Sequence, residues 1–498
     1  MSAVDVRSAL NLVGTLTKYL SLTPLVPAAV AIGYGEPPWP FLGAGLIAGG
    51  SGLLLERCTR GPTRLGTREG FLVVSLTWLV AAALGALPYL LSGNPQLDRP
   101  LDAYFEAMSG FTTTGASVLT NVEELSRSLL IWRQFTQWLG GIGIVVLALA
   151  VLPRLRVGGR QLLESEMPGP EIESLSTRIA DTARRVWWLY LGLTAALAAI
   201  LAGFGLAGVD DEMTLFESVA HAFTTLPTGG FGTRLTSLEE FSAASQWTIA
   251  LFMVLAGANF ALTYQAFVRR RPQAFARDEE FRLYIGVLAL GSLVIGAELI
   301  AEGIATGEAG VRHAVFQAIS ITTGTGFVTA DFATWPMLAS MTLVGLMFVG
   351  GSAGSTSGSV KVVRHLLLGK ILRRELDQTV HPEVVLPVRL NRRVVDERTL
   401  RAVSSFILLY IGIFVVGAAL LAIDAARTGL DLSVLDAIAA AATTLGNVGP
   451  GFGIAGPYGS FEPFSDFSTV VMIGLMWLGR LEVIPIVVLA SRHYWRTV

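Results

Sequence analysis

The chain has 498 residues, 52% of them hydrophobic and 15% charged, with a formal net charge of −2. Soluble globular proteins carry about 25% charged residues, and the mean hydropathy here is +0.59. An ordinary water-soluble enzyme, a disordered tail and a nucleic-acid binder are excluded, and the single cysteine, Cys58, rules out an intramolecular disulfide or a cysteine metal cluster.

In chain order, the first predicted spans cover 10–33 and 38–55. Asp5 and Arg7 lead straight into a full-length apolar segment, so no cleavable signal peptide is expected. A basic stretch with Arg57, Arg60, Arg64 and Arg68 follows. Spans are then predicted at 70–92, 130–152, 186–208, 246–268, 282–304, 337–360, 402–424 and 467–490, which makes ten. Arginines cluster after the fourth span (Arg154, Arg156, Arg160, Arg178, Arg184, Arg185) and after the sixth (Arg269, Arg270, Arg271, Arg277). After the eighth come Lys370, Arg373, Arg374, Arg389, Arg392, Arg393, Arg398 and Arg401, and Arg492 and Arg496 end the chain. The intervening loops are acidic, with Asp98, Asp102, Asp210, Asp211, Glu212, Glu302, Glu308 and Asp431. The positive-inside bias therefore places both termini in the cytoplasm. The long basic linkers 153–185 and 361–401 face the same side, where they set topology or dock a soluble partner.

Four of the outside loops repeat one pattern, a short half-apolar stretch followed by a Thr/Gly string. They read YFEAMSGFTTTGAS at 104–117, LFESVAHAFTTLPTGGFG at 215–232, AVFQAISITTGTGFV at 314–328 and VLDAIAAAATTLGNVGPGFG at 434–453. Each lies between two spans and is too short to cross a bilayer. The expected unit is span, half-helix, Gly-rich turn, span. The chain then divides into an N-terminal span pair (1–69), pore repeat 1 (70–153) and pore repeat 2 with a cytoplasmic linker (154–268). Pore repeat 3, with a broken second span and gating loop, covers 269–370, and pore repeat 4 with its linker covers 371–498. The fold class expected is an all-α polytopic membrane protein with fourfold pseudo-symmetric repeats around one central pore.

Non-helical backbone at membrane depth survives only where protein or a water-filled path surrounds it. Four Thr/Gly strings around one axis would present rings of carbonyl oxygens, which replace the water around a fitting cation. The partly negative C-terminal ends of the half-helices would face the same centre and favour a cation over an anion. No Arg or Lys stands in the strings.

Residues 350–359, GGSAGSTSGS, interrupt the eighth apolar segment. Each glycine costs about 1 kcal/mol against alanine in a helix, so the helix is expected to open into a loop below the strings, able to gate the path. The gate candidates are Gly350, Gly351, Ser352, Ala353, Gly354, Ser355, Thr356, Ser357, Gly358 and Ser359, together with Lys361 and Arg480. A Walker A loop is excluded because Lys361 follows Gly358 by three residues. Arg480 lies inside the tenth segment, where a charge must face a path or a partner; it either projects into the cation path or pairs with Glu482. His221 and His313 read as local hydrogen-bonders, and Glu106, Glu217 and Asp436 as acids that support half-helix N-termini or concentrate cations in the outer vestibule, the first role being favoured.

With these strings, WRQFTQWLGGIGIVVLALAVLP at 132–153 and GGSAGSTSGSVKVVR at 350–364, the sequence resembles the Trk/Ktr/HKT superfamily of potassium-translocating subunits, most closely the bacterial TrkH type. The resemblance covers nearly the whole chain. It implies K⁺ as the transported ion and no covalent or nucleotide cofactor in this chain. It also implies a homodimer in the lipid bilayer of the cytoplasmic (inner) membrane, with RCK-type nucleotide-binding (TrkA-like) regulatory subunits on the cytoplasmic side and no nucleic acid. Carried over residue by residue, the filter glycines fall on Gly115, Gly229, Gly326 and Gly449. Thr113, Thr114, Pro227, Thr228, Gly324, Thr325, Asn447 and Val448 would supply flanking carbonyls, and a basic residue at Arg480 would face the pore. The third string departs from the family pattern with Gly324 where Thr or Ser is usual, and the fourth with Gly446-Asn447-Val448 before its glycine.

The expected function is K⁺ uptake through a carbonyl-lined filter, gated by the Gly/Ser loop and a nucleotide-binding partner. The alternative is a secondary H⁺- or Na⁺-coupled cation symporter, whose class more often shows two inverted repeats and midplane carboxylates. An intramembrane enzyme would need a catalytic pair within the spans, and none is evident.

Overall fold

The computed structural model describes residues 4–61, 66–150 and 175–495. Most of the basic linker 153–185, with Arg154, Arg156 and Arg160, lies outside the described residues, as do Arg64 and Arg496. Among the described residues, six helical stretches are long and apolar enough to span a bilayer: Val6–Tyr34, Trp39–Cys58, Arg68–Ser92, Ala183–Leu206, Glu279–Ala301 and Glu397–Thr428. The protein is an all-α polytopic membrane protein, apart from a two-residue hairpin pairing Arg389–Leu390 with Arg393–Val394.

Two predicted spans are not straight. The segment 246–268 consists of helices Ala243–Gly257 and Phe260–Phe267, bent by 113°. Its ending 467–490 counterpart consists of Asp466–Arg480 and Ile484–Ala490, bent by 116°. At the first bend Ala258 and Asn259 are extended, and the Asn259 side chain caps the next helix at Ala261 N (2.8 Å) and Leu262 N (3.1 Å). At the second, Glu482 and Val483 take positive φ values of 56° and 60°. Broken backbone at membrane depth needs new partners. At the first bend the segment 350–359 supplies them: Ser352 N donates to the Gly257 carbonyl (2.8 Å) and Phe260 N to the Gly354 carbonyl (3.2 Å). The eighth predicted span, 337–360, is helical only over Met337–Met347.

The long helices are largely uncovered, with 22% of the apolar window buried in Ala183–Leu206 and 28% in Glu279–Ala301. The centre is built instead from four short helices, Pro100–Phe111, Leu215–Thr225, Gly307–Thr323 and Val434–Gly446. Their C-terminal halves are buried almost throughout, with Phe105, Ala220, Phe316 and Ala439 fully so, while their first turns are more open. Packing of small residues closes the outer layer. In the N-terminal pair, Gly14 and Gly52 let two helices touch backbone to backbone; a methyl on Gly52 would lie 2.7 Å from Lys18 N.

A carboxylate from the preceding outer element holds the start of the helix that follows each string. Glu36 accepts from Arg127 N and Ser128 N (both 2.8 Å), and Asp210 from Ser242 N (2.9 Å). Glu298 accepts from Leu338 N (3.1 Å), and Asp424 from Ser468 Oγ (2.7 Å). In the first of these the acid comes from the N-terminal span pair, which is thereby tied to the rest. Glu36→Ala is expected to cost about 1 kcal/mol of stability, the usual value of a helix N-terminal cap. The thermal unfolding midpoint in detergent should fall; an unchanged midpoint would show the tie to be idle.

Candidate functional site

Each short helix points its C-terminus at the interior and ends in a turn of one shape. One residue past the helix region takes a left-handed conformation: Thr113 (φ 54°), Thr228 (56°), Gly324 (69°) and Asn447 (54°). The next residue sends its N–H back five positions. Thr114 N donates to Ser109 O, Gly229 N to Thr224 O, Thr325 N to Ser320 O and Val448 N to Thr443 O, all at 2.9 Å. The residue after that is again left-handed: Gly115 (φ 83°), Gly230 (73°), Gly326 (81°) and Gly449 (110°). Glycine serves this last position because it alone takes such φ values without strain.

This register corrects the second string by one residue. Gly230, not Gly229, is the counterpart of Gly115, Gly326 and Gly449, and Gly229 stands with Thr114, Thr325 and Val448. Pro227 correspondingly drops to the level of Thr112, before the left-handed residue. Two adjacent glycines hid the offset, because only φ tells them apart.

The four turns abut in a closed circle. A side chain on Gly115 would run into the Gly229 carbonyl, one on Gly230 into Thr325, and one on Gly326 into Val448. One on Gly449 would reach the Thr114 carbonyl at 2.9 Å, which brings the fourth string back to the first. A single cavity is walled by Gly115, Gly230, Gly326 and Gly449 together. The strings thus meet at a common centre where backbone oxygens gather, with Arg133 and Arg234 also lining the cavity. A cluster of His, Cys, Asp or Glu able to hold a metal ion is absent among the described residues.

The loop 348–361 packs under this circle. Val349 and Val360 bridge its two ends, with Gly350 N donating to Val360 O at 2.9 Å. Gly351 N donates to Ser357 Oγ (2.8 Å), and Ser355 Oγ to Ser352 O (2.7 Å). Ala353 N is held by Glu280 Oε1 (2.6 Å), and Ser359 Oγ donates to Met347 O (2.6 Å). Gly354 and Ser359 have φ values of 73° and 59°. At the crest, Thr356 Oγ1 donates to Leu226 O (3.0 Å) beside the second string. Gly358 has no room for a side chain against Gly446 and Asn447 of the fourth, and a methyl on Gly324 of the third would sit 3.6 Å from Gly358 N.

Arg480 is 2% exposed. Its Nη1 donates to the Thr356 carbonyl (2.8 Å) and its Nη2 to the Gly140 carbonyl (3.3 Å). Glu482 pairs instead with Arg364 (2.5 Å), so the Arg480–Glu482 alternative does not form. The Lys361 ammonium donates to the Ser357 carbonyl. Two bases therefore hold the loop by its own carbonyls.

Glu217 and Asp436 sit in the first turns of their short helices, and Asp436 forms a capping box with Ser433. Glu106 does not. It is mid-helix and fully buried, paired with Arg133 (2.5 Å) and accepting from Ser117 Oγ (3.0 Å) and Val118 N (3.1 Å). It braces the chain leaving the first string. His221 Nδ1 lies 2.8 Å from Glu217 O and His313 Nδ1 3.0 Å from Thr329 Oγ1, both local bonds as expected. Glu280, which holds the loop at Ala353 N and the start of the following helix at Val363 N, was not singled out from sequence. In the run Asp278-Glu279-Glu280 it reads as one more acid at a helix start.

A model of the family described as TrkH, cation transport protein, matches residues 43–496. A Trk system potassium uptake protein TrkH from Vibrio parahaemolyticus is 38% identical over 504 residues, covering 99% of each chain. The Trk system potassium uptake protein TrkG from Escherichia coli is 33% identical, covering 100% of each. The crystal structure of the potassium transporter TrkH from Vibrio parahaemolyticus superposes with a TM-score of 0.87 at 35% identity, covering 99% of this chain and 100% of that one.

Proposed function

The chain belongs to the TrkH family of cation transport proteins, within the Trk/Ktr/HKT superfamily, and is a transporter and not an enzyme; from that premise we propose that it takes up K⁺ across the cytoplasmic membrane through the circle of four strings. The observation that carries this reading is the closure of the circle, string to string and fourth to first. A dehydrated cation at its centre would be surrounded by main-chain oxygens from four directions, with four half-helix C-termini aimed at it. The oxygens are offered by Thr113, Thr114, Gly115, Thr228, Gly229, Gly230, Gly324, Thr325, Gly326, Asn447, Val448 and Gly449. The chain is then ten spans, an N-terminal pair (1–69) followed by four pseudo-symmetric pore repeats (70–153, 154–268, 269–370, 371–498), with both termini cytoplasmic.

The loop 350–359 is the gate, latched by Arg480 and Lys361. Its bonds to Leu226 O and Arg480, and its close fit under Gly324 and Gly446, support a shut position across the path. The helix Val362–Val380, which leaves the loop directly, and the hairpin after it form a lever on the cytoplasmic side. RCK-type nucleotide-binding subunits would pull on that lever, and a second copy of the chain would complete the assembly.

Expression with such a regulatory subunit in cells lacking K⁺ uptake is expected to restore growth at low K⁺. No rescue by a membrane-inserted chain would overturn the reading. Reversal potentials of the purified chain in mixed K⁺ and Na⁺ separate passive from coupled flux. A potential set by the K⁺ gradient alone supports a channel, and one that moves with pH or with Na⁺ in fixed proportion supports the symporter.

A further inference from the structure

Two of the helices that follow a string carry matching sequences, Gln137-Trp138-Leu139-Gly140-Gly141 after the first and Met476-Trp477-Leu478-Gly479-Arg480 after the fourth. Their glycines occupy the same place. A side chain on Gly140 would meet the Phe111 carbonyl and one on Gly479 the Leu445 carbonyl, each four residues before its turn glycine. Gln137 is therefore the counterpart of Met476.

Gln137 is fully buried and reaches across the seam to the second string. Its Nε2 donates to the Gly229 carbonyl at 2.6 Å, and its Oε1 accepts from Phe231 N at 3.1 Å. The Phe231 bond fixes the side-chain orientation, because a backbone N–H can only donate and must face the amide oxygen. Gly229 is one of the four equivalent residues that place a carbonyl at a seam, with Thr114, Thr325 and Val448. Among the described residues of these four, only Gly229 has a carbonyl that accepts from a side chain.

We infer that Gln137 is a positioning residue that sets how strictly the circle prefers K⁺ over Na⁺; this rests on the reading of the circle as the ion filter. A carbonyl oxygen has two lone pairs. One is given to the amide of Gln137, so this oxygen offers a weaker field to an ion than its three counterparts. Discrimination by a carbonyl ring depends on the number and field strength of its oxygens. The smaller, more tightly hydrated Na⁺ needs the stronger field to leave water, so a muted oxygen weighs against Na⁺. The same side chain holds Phe231 N and fixes the spacing of the Gly229–Phe231 turn.

Two variants separate the roles. Gln137→Glu keeps an acceptor for Phe231 N and replaces the donor to Gly229 with a repelling carboxylate oxygen, whereas Gln137→Met, the residue of the fourth repeat, removes both. Purified full-length chains are reconstituted and their K⁺/Na⁺ permeability ratios taken from reversal potentials. Both variants are expected to lower the ratio roughly threefold to tenfold, the scale of one hydrogen bond. A wild-type ratio in Gln137→Glu overturns the inference, even if Gln137→Met shifts it, because anchoring of Phe231 would then be the whole role. Should Gln137→Glu not assemble, a wild-type ratio in Gln137→Met overturns it equally. Gly115→Ser run alongside distinguishes the failures. If it too leaves the ratio unchanged, the filter reading has failed; if it shifts the ratio and the Gln137 variants do not, only this inference has.

Discussion

Gly115→Ser is expected to reduce the K⁺/Na⁺ permeability ratio by about tenfold or more, equivalent to ~1.4 kcal/mol of lost discrimination. Two effects act together. Gly115 sits at φ 83°, where a side chain is strained, at a cost of roughly 1–2 kcal/mol. Its Cβ would also be driven into the Gly229 carbonyl, with the Cα of Gly449 only 3.7 Å away. The first string can relieve the overlap only by opening the seam to the second, which spoils the fit to a K⁺ ion. Gly192 provides the control, since a methyl there meets nothing within 4 Å; Gly192→Ala should leave the ratio as it was. A Gly115→Ser chain that conducts with the wild-type ratio would remove the circle of strings from ion selection.

Arg480→Ala is expected to raise K⁺ flux in the absence of any regulatory subunit by about tenfold or more. The guanidinium joins the loop at Thr356 to the first repeat at Gly140. Hydrogen bonds from a charged donor contribute about 1.5–3 kcal/mol, which corresponds to roughly 10- to 150-fold in the closed-to-open ratio. Removing the side chain also takes away the positive charge buried between the loop and the first repeat. Arg480→Lys keeps the charge but loses the planar fork that reaches two carbonyls, so its flux should fall between wild type and Arg480→Ala. The reading comes from ⁸⁶Rb⁺ uptake into liposomes; flux unchanged in both variants would leave Arg480 outside the gate.

Much of this arrangement was legible in the sequence because it rests on features with strong local signals. Uncharged runs of ~20 residues mark spans, and four Thr/Gly strings at one place in the span pattern mark a repeated backbone device. The run 350–359, with four glycines, cannot make a good helix, and the structure opens the chain from Phe348. What escaped was set by tertiary contact. The bend at Ala258–Asn259 depends on partners in the loop more than ninety residues further on. The bend at Glu482–Val483 puts positive φ on two residues that are not glycine, which no local composition marks. Gly229 and Gly230 are interchangeable as letters, and only the donor from Gly229 N to Thr224 O gives each its rank. Glu106 looked like a helix-start acid by spacing, yet Arg133, 27 positions away, defines what it does.

The loop over the centre is carried by one quarter of the wall alone, between Met347 and Val362. A ring of identical subunits has to duplicate its latch in every copy and release them in concert. On the proposed reading of the loop as the gate, a single tethered plug would do that work between Met347 and Val362, with the rest of the circle left in place. Sieving and switching would then fall to separate stretches of polypeptide that meet only where Thr356 and Gly358 touch the strings.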